Sequence, residues 1–236
     1  MATDCLFRDD SYLRQCDATI VALTGQGLVL DRTVFYANSG GQPGDRGVLR
    51  MGAGDIAVET AVFTDQGKTE IAHVLPAGVA APRPGEQVGA AIDWDTRYRR
   101  MRMHTALHLL SAALPFPVTG GSVGDTEGRL DFDIPEAGLD RDEITQKLAA
   151  MIAADVAVTS RWITDDELLA NPSLVKTMSV KPPVGTGRVR LVDIAGYDLQ
   201  PCGGTHVRRT GEIGAVRVTQ IEKKGKQNRR VRIAFA

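Results

Sequence analysis

TRYRRMRMHTALHLLSAA, residues 96–113, is the stretch at which the chain changes character. Met103, Leu107, Leu110 and Leu114 recur at helical spacing and predict one buried stripe. Asp95 stands where an N-cap belongs, and Pro115 stops the run. Residues ahead of this helix read as short strands. Residues behind it read as strands mixed with helices. The helix therefore marks a domain boundary near Asp93, with domains over residues 1–93 and 94–236.

Working back from the helix, ATIVALTGQGLVL at residues 18–30 predicts a β-hairpin that turns at Thr24-Gly25-Gln26-Gly27. Thr33 to Tyr36 reads as a short strand, and Asn38 to Gly44 as a loop too rich in glycine and turn formers to be helical. That loop has neither the spacing nor the lysine of a phosphate-binding loop or a dinucleotide fingerprint. Short β segments follow at 47–50, 56–64 and 69–74, then a turn-prone stretch from Pro76 to Gly85 and a strand from Gln87 to Ile92. His73, between Ala72 and Val74, reads as structural or surface. About six such segments predict a small N-terminal β-barrel, whose closure would remove exposed edges.

Working forward, Thr119 to Gly124 reads as a glycine-rich reversal and Gly128 to Asp133 as a strand. Asp140 with Glu143, and Thr164 with Glu167, have capping-box spacing. The first opens an amphipathic helix through about Val158 with Ile144, Leu148, Met151 and Ile152 on its core face; the second opens a short helix ending near Asn171-Pro172. Pro182-Pro183, Gly185 and Gly187 mark a loop. Strands then run from Arg188 to Ile194, from Ala215 to Glu222, and to the C-terminus. Helices without regular βαβ alternation predict an α+β second domain.

Two motifs carry chemistry. His104-Thr-Ala-Leu-His108 lies inside the helix, where residues four apart share a face, so both imidazoles can converge on one point. Cys202-Gly-Gly-Thr-His206 follows Pro201, and its glycines allow a tight turn. Three of the four histidines in the chain fall in these two motifs. Three imidazoles and a thiolate suit zinc (Zn2+). A histidine on a helix face is more often a satisfied core or surface group, and neither motif alone would carry the assignment. Four protein ligands suit a closed structural site, whereas a catalytic zinc keeps one position open, and the spacing is compatible with both.

The net charge of −1 conceals an uneven distribution. Residues 1–94 carry a balance of −5 and residues 205–236 a balance of +7. Arg97, Arg99, Arg100 and Arg102 precede the first motif; Lys223, Lys224, Lys226, Arg229 and Arg230 cluster near the end. Such patches suit a phosphate backbone, and equally an ordinary solvated surface. Cys5, Cys16 and Cys202 are too few and too scattered for a disulfide framework, which points to a reducing, cytoplasmic setting. No apolar run approaches the length needed to span a membrane, and the acidic N-terminus is unlike a secretory signal. No membrane partner is expected.

Four stretches resemble the editing domain of alanyl-tRNA synthetase and its free-standing relatives, the AlaX trans-editing proteins. They are TVFYANSGGQPGD at 33–45, RMHTALHLL at 102–110, RLDFD at 129–133 and LQPCGGTHVRRTGEIG at 199–214. They run in the family's order across nearly the whole chain, and the length resembles that of the medium-sized AlaX class. The resemblance implies hydrolysis of mischarged tRNA(Ala), chiefly Ser-tRNA(Ala) and also Gly-tRNA(Ala), without use of ATP. It makes His104, His108, Cys202 and His206 the zinc ligands. It matches Thr33 to the residue that recognises the serine hydroxyl and puts Gly40, Gly41 and Gln42 in the loop beside the pocket. Thr33 and Gln42 are the residues it implies for catalysis; Thr105 and Ser122 join the substrate-binding set. Leu107 departs from the threonine of the synthetase form, and Thr119 from the glutamine expected three residues before Ser122.

No glutamate is poised like the base of an HExxH site, because Thr105 follows His104. Asp131 or Asp133 could serve as a polar partner, although the sequence places neither in the pocket. Two other function classes fit part of the pattern. A zinc-stabilised tRNA-binding module would need no pocket, and a zinc hydrolase of another ester would need no RNA surface.

Overall fold

Gln15–Thr24 is a ten-residue strand that pairs with two different neighbours, and this decides how its sheet bends. The computed structural model describes residues 2–52, 54–134, 138–176 and 187–236. The chain divides into two compact units, Met1–Tyr98 and Arg99–Ala236. In the first, the strands are β1 (Asp4–Cys5), β2 (Gln15–Thr24), β3 (Gly27–Leu30), β4 (Arg32–Thr33), β5 (Gly47–Met51), β6 (Gly54–Val58), β7 (Thr60–Phe63), β8 (Ile71–Val74) and β9 (Gln87–Ile92). Gln15 to Thr19 of β2 pair with β9, and Ile20 to Thr24 pair with β3. A register shift between Ile20 and Ala22 separates the halves, the kind of bulge that bends a strand. The resulting seven-stranded antiparallel sheet has the order β6-β5-β9-β2-β3-β8-β7. Its apolar face packs Phe7, Ile20, Leu28, Leu30, Phe35, Leu49 and Ile71 into one core.

The expected β-barrel is not formed: no sheet among the described residues closes on itself. Closure would require the edge strands β6 and β7 to pair. They are consecutive, joined only by Glu59, and Glu59 N–H donates instead to the Val74 carbonyl at 2.9 Å. An antiparallel hairpin needs about two residues to reverse the chain, so these two strands cannot fold onto each other. The strand count was sufficient for a barrel; the connection rules it out.

The glycine-rich loop is closed at its base. Ser39 and Gln42 exchange backbone hydrogen bonds at 3.1 and 2.9 Å around Gly40 and Gly41, whose φ angles are 57° and 81°. Two successive positive φ values define a tight turn that side chains resist, which accounts for the glycine pair. Outside this turn, Tyr36 N–H donates to Asp45 Oδ2 at 2.7 Å and Asp45 N–H to the Tyr36 carbonyl at 2.9 Å. Gln42 is fully buried.

Arg97 corrects one expectation outright. It is not a surface cation: it is completely buried, and its guanidinium grips Asp45 while donating to the carbonyls of Ser11 (3.0 Å) and Val34 (2.7 Å). A buried guanidinium requires this degree of pairing.

Thr33 and His73 form a second buried polar group. The Leu28 carbonyl can only accept, so His73 carries its proton on Nδ1 and donates to it at 3.1 Å. His73 Nε2 then accepts from the Thr33 hydroxyl at 2.8 Å, and Phe35 N–H donates to the Thr33 oxygen at 3.0 Å. His73 is thus structural rather than exposed. Burial pushes its pKa down to about 4, outweighing the Leu28 bond that raises it. The unfolded ring titrates near 6.5, so between pH 6.5 and 4 the unfolded chain binds the extra proton. Stability is therefore expected to fall as pH drops through that window, by roughly 3 kcal/mol from this group at its lower end. Urea titrations at pH 7 and pH 5 check this against His73→Gln. A variant curve parallel to the parent's would remove His73 as the source.

Helix α1 (Trp94–Ala113) starts two residues earlier than Asp95 implies. Asp93 takes the capping role, its carboxylate accepting from Thr96 N–H at 3.2 Å and from the Thr96 hydroxyl at 2.9 Å. In the second unit the strands are β10 (Val118–Val123), β11 (Glu127–Asp133), β12 (Val158–Thr164), β13 (Arg188–Ile194), β14 (Asp198–Pro201), β15 (Val216–Lys223) and β16 (Asn228–Phe235). They make an antiparallel sheet of order β10-β11-β16-β15 and a smaller one of order β12-β13-β14. The expected reversal at 119–124 is strand β10 itself, whose two glycines sit opposite Asp131 and Leu130.

Helix α2 (Arg141–Ala153) buries Ile144, Leu148 and Ile152 and lies against β15; Asp140 caps it through Asp142 and Glu143 N–H. It ends five residues short of Val158, which opens β12. Thr164 and Glu167 form the anticipated capping box of α3 (Asp165–Ala170). Pro182, Pro183 and Gly185 lie outside the described residues. No described helix is long and apolar enough to cross a membrane.

Candidate metal centre

From Met101 to Ser111 every residue of α1 except Arg102 is buried, so its two histidines face protein rather than solvent. Leu107 packs so closely that a side chain at Gly128 of β11 would meet it at 3.1 Å and Met103 at 2.9 Å. The residue that departs from the synthetase pattern is therefore a core residue of this unit. Thr119, the other departure, accepts from Asn228 Nδ2 at 2.8 Å and donates to the Asp131 carbonyl at 3.1 Å.

The second motif is held by β13 and β14. Cys202 N–H donates to the Arg190 carbonyl at 3.0 Å. Arg190 Nη1 donates in turn to the Cys202 and Gly204 carbonyls at 3.1 and 3.0 Å. This turns the loop so that Cys202 Sγ lies 3.6 Å from His104 Nε2 and 3.3 Å from His206 Nε2. The four ligand atoms of His104, His108, Cys202 and His206 all lie within 4.8 Å of one another. Ring centroids are separated by 4.4 Å for His104–His206, 4.6 Å for His108–His206 and 5.2 Å for His104–His108.

The electrostatics of Cys202 and His206 suit a cation, whereas His108 favours its protonated form, from which a metal would have to displace a proton. Burial raises the Cys202 thiol, but the neighbouring His104 and His206 rings more than reverse this and hold it well below its usual value. Burial and the neighbouring His104 and His108 push His206 down to about 3, the neutral form a metal requires. Burial also opposes charge on His108, yet its bonds to Asp198 and Cys202 leave it raised to about 9. Borderline nitrogen donors and one thiolate, packed at this separation, are a donor set for zinc.

Asp198 was not singled out by its sequence position. It is buried on β14, and its Oδ2 accepts from His108 Nδ1–H at 2.8 Å and from Gln200 Nε2 at 2.7 Å. Lys176 Nζ donates to its other oxygen. Burial would raise this carboxyl, but His108, Lys176 and Gln200 hold it down at about 2. The available signal was the alternation in Asp198-Leu-Gln200, two polar residues on one strand face immediately before the CxxxH motif.

The remaining sequence candidates are distributed as follows. Thr105 is buried on α1, its hydroxyl engaged by Met101, His206 and Val207. Ser122 lies on β10 opposite Arg129. Thr33, Gly40, Gly41 and Gln42 belong to the first unit. Asp131 is bound to Arg129 and to both faces of the Arg230 fork. Arg100 is buried and paired with Asp125, a second correction to the expected basic surface. Lys223, Lys224 and Lys226 are exposed around the β15–β16 turn, with Arg229 half-buried beside them.

Comparison with known proteins gives two family profiles. "Threonyl and Alanyl tRNA synthetase second additional domain" matches residues 189–232, and "tRNA synthetases class II (A)" matches residues 9–96. The alanyl-tRNA editing protein AlaX-M of Methanosarcina mazei is 35% identical over 242 residues, covering 97% of this chain and 95% of that protein. AlaX-L of Pyrococcus horikoshii is 33% identical, covering 94% of this chain and 55% of its own. The alanine–tRNA ligase of Pyrobaculum aerophilum is 33% identical over 92% of this chain and 25% of the ligase. With that identity along nearly the full length of both chains, the protein belongs to the AlaX family, the editing-domain relatives of class II aminoacyl-tRNA synthetases.

Proposed function

We propose that this chain hydrolyses the aminoacyl ester of mischarged tRNA(Ala), chiefly Ser-tRNA(Ala) and also Gly-tRNA(Ala), in the cytoplasm. The observation that carries this reading is the buried His104–His108–Cys202–His206 cluster, built on two motifs shared with the editing family. Zinc bound there would polarise an ester carbonyl and make a nearby water more acidic. The chain's own residues hold the donor set: α1 presents two rings, and Arg190 shapes the loop that presents the thiolate and the third. The exposed lysines at 223, 224 and 226 suit a phosphate backbone.

Thr33 is assigned the reading of the serine hydroxyl, with Gln42 beside it in catalysis and Gly40, Gly41 and Ser122 in substrate binding. A second site that selects for a hydroxyl is chemically sensible, because a small pocket rejects an extra hydroxyl poorly. Thr33 donates its own proton to His73 and accepts from Phe35 N–H, so what it has left to offer is one lone pair on its oxygen. A serine hydroxyl can donate to it; alanine and glycine side chains cannot. Thr33→Val is expected to lower kcat/KM for Ser-tRNA(Ala) by about tenfold or more relative to Gly-tRNA(Ala), with zinc content unchanged. An equal loss on both esters would remove this role.

Single-turnover deacylation of zinc-replete protein tests the whole reading, using Ser-, Gly- and Ala-tRNA(Ala) and a non-cognate Ser-tRNA. Release of serine from tRNA(Ala) with alanine spared is the expected result. Binding of tRNA without release would favour a zinc-stabilised binding module. Turnover of simple esters with no tRNA binding would favour a different hydrolase.

A further inference from the structure

The metal cluster is surrounded by side chains that fix which nitrogen each ring presents. Thr105 follows His104 on α1, so its side chain points about 100° around the helix from the first ligand. Its hydroxyl donates to the Met101 carbonyl one turn back, at 2.9 Å. A hydroxyl has one proton, so toward its other neighbours it can only accept. Those neighbours are His206 Nδ1 at 3.1 Å and Val207 N–H at 3.3 Å. With the hydroxyl proton committed to Met101, the matching tautomer of His206 carries its proton on Nδ1, which leaves Nε2 on the side facing Cys202. Asp198 does the same for His108. Its two oxygens receive His108 Nδ1, Gln200 Nε2 and Lys176 Nζ, which commits the carboxylate and keeps it an acceptor for the ring.

We propose that Thr105 and Asp198 are positioning residues of the metal centre, each holding one ligating imidazole in the Nδ1–H form so that Nε2 points at the ion. The inference rests on the zinc reading of the cluster. Helix α1 then supplies two ligands directly and aligns a third through Thr105, although that ligand lies 101 residues away in sequence. Threonine suits the task better than a flexible hydroxyl bearer: it is fully buried, and β-branching restricts its rotamer. Lys176 and Gln200 secure Asp198 and through it the His108 ring. Partners of this kind typically contribute ten- to hundredfold to metal affinity.

The test measures zinc affinity by chelator competition, together with the absorption of the Co2+-substituted protein. Thr105→Val and Asp198→Asn are each expected to bind zinc about tenfold more weakly or worse, with a shifted cobalt spectrum. Thr105→Ser, which restores the acceptor, is expected to stay within about twofold of the parent. Long-range 1H–15N spectra of the unaltered, zinc-loaded chain provide a readout that needs no variant. The expected result is a proton on Nδ1 of both His108 and His206. A proton on Nε2 of either ring, or variants that bind zinc as tightly as the parent, would overturn the proposal while leaving the zinc site intact. If the unaltered chain binds no zinc, the metal reading fails and the proposal falls with it.

Discussion

Replacing Cys202 with alanine is expected to abolish stoichiometric zinc binding and with it deacylation of Ser-tRNA(Ala). The thiolate is the only anionic donor in the cluster, and the His104 and His206 rings hold the Cys202 thiol well below its usual value despite its burial. Its removal leaves three imidazoles crowded within 5.2 Å of one another, centroid to centroid, without the charge that balances a dication. If outer partners are worth ten- to hundredfold in affinity, the loss of a ligand should exceed about a hundredfold. The parent should carry one zinc per chain by elemental analysis after gel filtration, and Cys202→Ala close to none. A variant that retains one zinc per chain would exclude Cys202 as a ligand.

The same substitution is expected to loosen the second unit. A zinc held by His104 and Cys202 bridges 98 residues of chain. By analogy with a disulfide closing a loop of that size, the cross-link restricts the unfolded chain by roughly 4–5 kcal/mol. Chelation of the parent should therefore lower its thermal midpoint, and Cys202→Ala should start from the lowered value and not respond to chelator. A parent whose midpoint is indifferent to chelation would show that the metal does not tie α1 to the 202–206 loop.

How much of this was legible follows from which patterns have a fixed spatial meaning. HxxxH in a helix has one, since four residues make nearly a full turn, and CxxxH with two glycines has another; both motifs reached the same point in the fold. Asp198 and Gln200 were visible only as a two-residue alternation, too short to separate from chance. Sequence places the Thr105 hydroxyl beside His104 but does not say that His206 and Val207 come to lie against it. Closure of the first sheet depends on whether β6 and β7 pair, and strand counting does not register that a single residue, Glu59, joins them. The arginine run misled for a related reason: charge was counted without phase. Arg97, Met101 and Thr105 recur every four residues, and all three are fully buried. The helical period that located the histidines also placed Arg97 inside.

That placement carries the second large expectation: Arg97→Met should destabilise the first unit by about 3–5 kcal/mol. The substitution matches the volume of the stem but takes the guanidinium from Asp45, which is 1% exposed and to which Tyr36 N–H still donates. The carbonyls of Ser11 and Val34 lose their guanidinium donors at the same time. Arg97→Lys should recover only part of this, since three ammonium donors at one point cannot reproduce a fork that serves a carboxylate and two carbonyls together. Adding Asp45→Asn to Arg97→Met should raise stability above that of the single variant, because it removes the unpaired charge, and the non-additivity measures the ion pair itself. Urea unfolding of the parent, Arg97→Met, Arg97→Lys, Asp45→Asn and the Arg97→Met/Asp45→Asn double variant decides the matter. A surface arginine serving RNA would behave in the opposite way, with stability within about 1 kcal/mol of the parent and a loss confined to salt-dependent tRNA binding. The buried reading also has a consequence for function. Asp45 closes the base of the loop that carries Gly40, Gly41 and Gln42, so the same variant should slow deacylation by misplacing that loop, even at temperatures where the chain remains folded.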